Sequence, residues 1–139
     1  MHQATTVLHI TTSRRGLLEI TTQVQSWFEA QSVTTGLLTL FCRHTSASLL
    51  IQENAAPEVR SDLEAFFERI APEDWNLYAH KDEGPDDMPA HLRTALTQVQ
   101  LAVPVMEGRM VLGTWQGIYL FEHRRRGHVR EIALHLIGD

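Results

Sequence analysis

At 139 residues, 43% of them apolar and 21% charged, the chain has the size and composition of one globular domain, long enough to bury about 70% of its unfolded surface without a disulfide or structural metal. A net charge of −5 argues against a nucleic-acid partner held by bulk basic charge, and no apolar run approaches the ~20 residues of a membrane span. The lone Cys42 has no internal disulfide partner and residues 1–6 lack the basic and apolar regions of a secretory signal, so the expected compartment is the cytoplasm.

Residues 5–10 read as a β-branched strand, and Arg15-Gly16 opens a turn after it. Leu17, Ile20, Val24, Trp27 and Phe28 recur at helical spacing and predict a helix over roughly 21–31. Gly36 restarts the chain into an apolar strand, 37–42, which belongs at the centre of a sheet. A second strand, 47–52, follows almost at once. Pro57 then takes the first-turn position of a helix whose expected buried stripe is Val59, Leu63, Phe66 and Ile70.

Residues 71–86 read as a long loop, of a length that in compact domains is often functional. Asp86 or Asp87 caps a third helix, with Pro89 early and Met88, Leu92, Ala95, Leu96 and Val99 on one face. Three strands finish the chain, at 101–106, at 109–112 with 117–123, and at 129–137. Glu107-Gly108 and Arg126-Gly127 are the expected hairpin turns. There is no internal repeat or linker. The expected fold is α+β, a largely antiparallel β-sheet or sandwich with about three helices in a single domain, 1–139.

Eight histidines are heavy use in so short a chain, and histidine serves both metal ligation and proton transfer near neutral pH. The densest segment is His44-Thr45-Ser46-Ala47-Ser48. Alternation places Leu38, Leu40, Cys42 and His44 on one side of their strand, so His44 emerges at the end of a buried row. Thr45 and Ser46 add hydroxyls and backbone N–H groups suited to an oxyanion. The alternative is a histidine satisfied by a carbonyl in a turn. His91 lies one helical turn from Met88 and from Ala95, bordering an apolar face.

The preceding loop supplies His80, Asp82, Glu83, Asp86 and Asp87, which also read as a solvated acidic loop with capping roles. Asp62 borders the second helix's apolar stripe, and Glu122 shares a strand face with Ile118 and Leu120. No HExxH, CxxC, GxxxxGK[ST] or GxSxG segment is present, so a metal site would be assembled from distant elements. His44, His80 and His91 offer imidazoles of the kind Zn²⁺ favours, whereas Mg²⁺ would be held through carboxylates and substrate phosphates. Gly113-Thr114-Trp115-Gln116-Gly117 reads as a tight bend or bulge, with Trp115 a core anchor and Gln116 a polar contact. Arg124-Arg125-Arg126 reads as a solvated hairpin tip, with phosphate contact as the other reading.

Taken together, His44-Thr45-Ser46-Ala47-Ser48-Leu49, Gln52-Glu53-Asn54, Asp86-Asp87-Met88-Pro89-Ala90-His91-Leu92, Gly113 to Leu120 and Glu122-His123-Arg124 resemble the YjbQ family. The similarity runs in order along essentially the whole chain. The resemblance implies a homotrimeric α+β fold with sites near subunit contacts. It also implies a secondary thiamine-phosphate synthase activity, in which a hydroxymethylpyrimidine diphosphate joins a thiazole phosphate and pyrophosphate is released.

The family's motif residues fall on His44, Asp62, His80 and His91. On that basis His44 and His91 would ligate a divalent metal, Zn or Mg, or protonate the leaving group, with His80 a third metal ligand. Asp62 would orient a histidine, and Thr45, Ser46 and Arg93 would hold phosphate oxygens, with Gln116 and Glu122 as further substrate contacts. The expected partner is a phosphorylated small molecule, not nucleic acid or membrane. The alternatives are a metal-dependent phosphate-ester hydrolase and a non-catalytic metabolite- or metal-binding protein.

Overall fold

The apolar run after Gly36 forms strand β3 (Gly36–Cys42) in the computed structural model, which describes residues 1–139. It is the middle strand of a five-stranded antiparallel sheet. The order is β1 (His2–Thr11), β8 (Val129–Gly138), β3, β5 (Gln100–Met106) and β6 (Arg109–Met110). A second antiparallel sheet places β7 (Gln116–Glu122) between β2 (Gly16–Glu19) and β4 (Ala47–Glu53). Three helices complete the chain: α1 (Thr21–Glu29), α2 (Pro57–Ile70) and α3 (Asp87–Leu96). This is the expected α+β architecture, and no helix is long and apolar enough to cross a membrane.

Period-two alternation decides which side of β3 is interior. Leu38, Leu40 and Cys42 are buried, while Leu37 and Phe41 face outward. The inward row meets Leu49, Ile118 and Leu120 of the second sheet, together with Val24 and Phe28 of α1, in one shared core. Each such fully buried aliphatic side chain contributes roughly 1.5–3 kcal/mol of transfer free energy. The β5–β6 hairpin turns at Glu107 and Gly108, both at positive φ (50° and 72°), which matches a turn whose twist suits the flanking strands.

Several sequence expectations shift. The stretch at Gly16 continues into strand β2, paired with β7, rather than only turning toward a helix. On α2 the buried aromatic is Phe67, packed edge-on against Phe121 at 5.3 Å, while Phe66 and Ile70 are each 44% exposed. The helix rests on β2, and the sheet residues Leu17, Tyr119 and Phe121 select Leu63 and Phe67 as its contact stripe. On α3 the inward residues are Asp87, Pro89, Ala90 and Arg93, leaving Leu96 62% exposed. Asp87 occupies that buried face because partners await it, as described below, while Arg93 donates only to the Ala71 carbonyl. Arg126-Gly127 is no hairpin: β7 and β8 belong to different sheets, and the segment between them crosses from one to the other.

Candidate functional site

The long loop before α3 delivers two carboxylates, Asp86 and Asp87, into the protein at the helix start. Asp87 is 2% exposed, and each of its oxygens is used. Oδ2 lies 2.8 Å from His80 Nε2 and 3.1 Å from His91 Nε2, while Oδ1 accepts from Arg124 Nη1 at 2.9 Å. Asp87 and His91 meet because residues four apart share a helix face. His91 is fixed at its other nitrogen, where Nδ1–H donates to the Thr45 carbonyl at 3.0 Å. Arg124 forks onto both acids, donating through Nε to Asp86 at 3.1 Å, and Asp86 also accepts from the Arg125 backbone N–H.

Burial alone would raise both carboxyl pKa values. In Asp86 the Arg124 and backbone hydrogen bonds outweigh it and hold the group below its usual range. In Asp87 the hydrogen bonds with His80 and His91 and the Arg124 charge do the same. Arg124 is therefore no solvated tip residue. It anchors the acidic pair across a gap of 37 residues.

His91 also lines a cleft of about 870 Å³, within the range that holds small molecules. Phe41, Ala95 and Val99 give this cleft an apolar wall, and His44, Thr45 and Ser46 a polar one. The loop carrying those three polar residues is clamped at every position. His44 Nε2 accepts from the Glu131 backbone N–H at 2.8 Å, the Thr45 carbonyl accepts from His91 Nδ1–H, and Ser46 Oγ and O accept from Arg130 Nη2. Arg130 is in turn held by Glu122, whose Oε1 also accepts from Thr12 Oγ1 at 2.7 Å. Burial, helped by the nearby Arg130 charge, lowers the His44 pKa. Burial pushes the Cys42 thiol at the cleft floor up to about 11, so it stays protonated and unreactive.

The structure thus brings His44, Thr45, Ser46 and His91 to one cleft, and joins His80 to His91 through Asp87. It does not bring the remaining predicted residues there. Asp62 is exposed on α2 with no hydrogen-bond partner, because the helix turns its Leu63–Phe67 stripe inward instead. Arg93 is 2% exposed, donates to the Ala71 carbonyl and borders a separate small void beside Arg15 and Phe121. Gln116 sits at the opposite end of β7 from Glu122, about 20 Å away along the strand, where its Oε1 accepts from the Gly113 N–H. Glu122 is fully buried and fully engaged with Arg130 and Thr12, so it supports the loop and presents no oxygen to the cleft.

His44 lies outside the metal-capable group, which is His80, Asp87 and His91, with ligand atoms within 4.8 Å of one another. From sequence alone Asp87 is one of several loop acids, with no sign of its central part. The available signal is the Asp-to-His spacing of four on a predicted helix, which sets both side chains on one face.

Residues 6–139 match the family model described as UPF0047 protein YjbQ-like. A UPF0047 protein of Synechocystis sp. is 49% identical over 133 residues, covering 96% of this chain and 90% of that protein. The UPF0047 protein YjbQ of Escherichia coli O157:H7 is 42% identical over 133 residues, covering 95% and 96%. A conserved hypothetical protein from Thermus thermophilus superposes with a TM-score of 0.83 at 36% identity, over 95% of this chain and 99% of that one. A YbjQ-like protein of unknown function from Sulfolobus solfataricus P2 shares the fold, with a TM-score of 0.87 at 23% identity over 99% and 100% of the two chains. Matched along almost its whole length by the family model and by close relatives, the chain belongs to the YjbQ-like UPF0047 family.

Proposed function

We propose that this protein is a metal-assisted enzyme acting on phosphorylated small molecules, its metal held by His80 Nε2, Asp87 Oδ2 and His91 Nε2. The observation that carries this reading is the convergence of those three atoms beside a cleft of ligand size. The donor set fits zinc: two imidazoles and a carboxylate occur in catalytic zinc sites, whereas Mg²⁺ prefers oxygen throughout. The 2.8 and 3.1 Å separations around Asp87 Oδ2 need only a slight expansion to reach the ~3.3 Å between ligands of a tetrahedral ion. His91 already has the orientation such a ligand needs, since its Nδ1–H is spent on the Thr45 carbonyl and Nε2 is aimed inward.

When bound, the ion would supply positive charge to polarise a phosphoryl oxygen. The chain supplies the rest. Phe41 and Val99 offer an apolar surface for the body of a substrate, and the Thr45 and Ser46 hydroxyls lie on the polar side for its phosphate. Thiamine-phosphate synthesis, as the family resemblance suggests, is a compatible reaction. The carbon–oxygen bond to the diphosphate breaks, the thiazole nitrogen bonds to that carbon, and pyrophosphate leaves as an anion. Phosphate-ester hydrolysis is the second reading, favoured by a ligand set of two histidines and one carboxylate, which leaves a position for water or substrate. A homotrimer whose contacts adjoin the cleft belongs to the same proposal.

Elemental analysis of the purified protein tests the metal. Close to one zinc per chain is expected in the wild type, lost in His91→Ala and Asp87→Asn and kept in Asp62→Ala. Equal metal content in the wild type and His91→Ala would sink the site. With metal present, assays pairing a pyrimidine diphosphate with a thiazole phosphate, beside simple phosphate esters, distinguish bond formation from hydrolysis. Turnover of neither would reduce the protein to a metal binder.

A further inference from the structure

His44 has the only cleft-lining imidazole outside the metal-capable group, and its hydrogen bonding dictates what the ring can do. The Glu131 backbone N–H can only donate, so His44 Nε2, 2.8 Å away, must accept with its lone pair. A neutral imidazole has one bare nitrogen and one N–H. With Nε2 bare, the proton sits on Nδ1, which then has no lone pair for a metal and no capacity to act as a base. The donor that fixes this tautomer is a backbone amide, whose own proton is never in doubt.

The ring is also held still. The Arg43 backbone N–H donates to the Glu131 carbonyl, so one residue of β8 holds both the backbone just before His44 and the His44 ring. Nδ1 has no partner within the protein, yet it is not sealed from solvent. An oriented, uncharged N–H without a protein partner, on a ring that lines a cleft with an apolar wall, suits an oxygen on a ligand. Such a donor gains most where negative charge develops.

We propose that His44 is a neutral Nδ1–H donor to an oxygen of the bound substrate, neither metal ligand nor base. The substrate class that fits is a small molecule with a phosphoryl oxygen at His44 and an apolar body against Phe41 and Val99. The proposal shares its cleft with the function put forward above but does not require the metal.

The test combines one spectrum with two substitutions that keep different halves of the ring's hydrogen bonding. In ¹⁵N-histidine-labelled wild type, His44, assigned by its absence from the variants, should show a protonated Nδ1 and a bare Nε2 from pH 6 to 8. Adding zinc should leave that pattern unchanged, and adding inorganic pyrophosphate should shift Nδ1. His44→Asn keeps an amide donor near the Nδ1 position and should bind pyrophosphate within about threefold of wild type. His44→Gln keeps an acceptor near Nε2 but loses the donor, and should bind about tenfold more weakly, as expected for one lost hydrogen bond.

Zinc content should be the same in all three proteins. A bare Nδ1, a zinc-shifted His44 signal, zinc loss in His44→Gln, or pyrophosphate binding undiminished in His44→Gln would each overturn the assignment. A wild type that takes up no zinc would instead defeat the metal reading, and the metal-free spectrum would still decide His44.

Discussion

His123 is fully buried, with its ring 4.4 Å from that of Phe121 and its Nε2 2.8 Å from Ser48 Oγ. Burial first, then the positive charges of Arg93, Arg130 and Arg15, push its pKa down to about 3. In the unfolded chain the same group titrates near 6.5. The folded value is the lower one, so between these two pH values the unfolded state binds the extra proton. Stability from this group is therefore complete above about pH 6.5 and falls as pH drops, by about 1.4 kcal/mol per unit at full slope. Glu122 and Asp87, also held below their usual range, lose their stabilising contribution only at lower pH, through the carboxylate range. Urea unfolding at pH 6.5 and pH 5 separates the histidines from the carboxylates, and comparison with a variant isolates His123. His123→Gln, which retains a partner for Ser48, should flatten the pH slope of stability by about one proton relative to wild type. An unchanged slope would mean that His123 is charged in the folded protein.

At the scale of the element, the face a helix buries is set by what receives it. Phe67 meets Phe121 and Leu17 under α2, whereas Phe66 is 44% exposed, with the Phe67 ring 5.5 Å and the Arg69 guanidinium 5.9 Å from its centroid. Phe67→Ala should cost about 3–5 kcal/mol in denaturant unfolding, and Phe66→Ala about 1 or less. Comparable losses would contradict the packing.

Element extents are legible in the sequence because local chemistry punctuates them. Gly36 opens β3, Pro57 opens α2, and Glu107-Gly108 turns a hairpin. Element faces are less legible. In α2 both Phe66 and Phe67 satisfy a helical period around Leu63, and only the position of β2 and β7 chooses between them. β2 is hidden because Leu17 and Ile20, three apart, also fit a helix. The inward face of α3 is hidden because it carries Asp87 and Arg93, which composition alone assigns to solvent.

Across the whole molecule, the residues at the cleft are legible and the links between them are not. His44 and His91 stand out as ionisable groups beside apolar rows, but the partnership of Asp87 with Arg124 spans 37 residues and exists only once β7 hands the chain to β8. The same limit applies to the outer face of the five-stranded sheet. There Phe41 lies beside Ala133 and Val7, and Leu37 beside Ile137 and Pro104, in rows free of Asp, Glu, Lys and Arg. Phe41 is 47% exposed and Leu37 40%. Exposed apolar side chains so placed, with the polar row of Thr5, His135 and Thr39 between them, would suit a second copy of the chain, and because Phe41 also lines the cleft, a copy seated there would wall the site. On this basis Phe41→Glu should dissociate the proposed trimer to monomer in sedimentation at micromolar concentration. Because Phe41 points away from the core, zinc content and the far-ultraviolet spectrum should be unchanged. A variant that stays trimeric would move the contact to another face, and a monomeric wild type would remove the need for any subunit to complete the cleft.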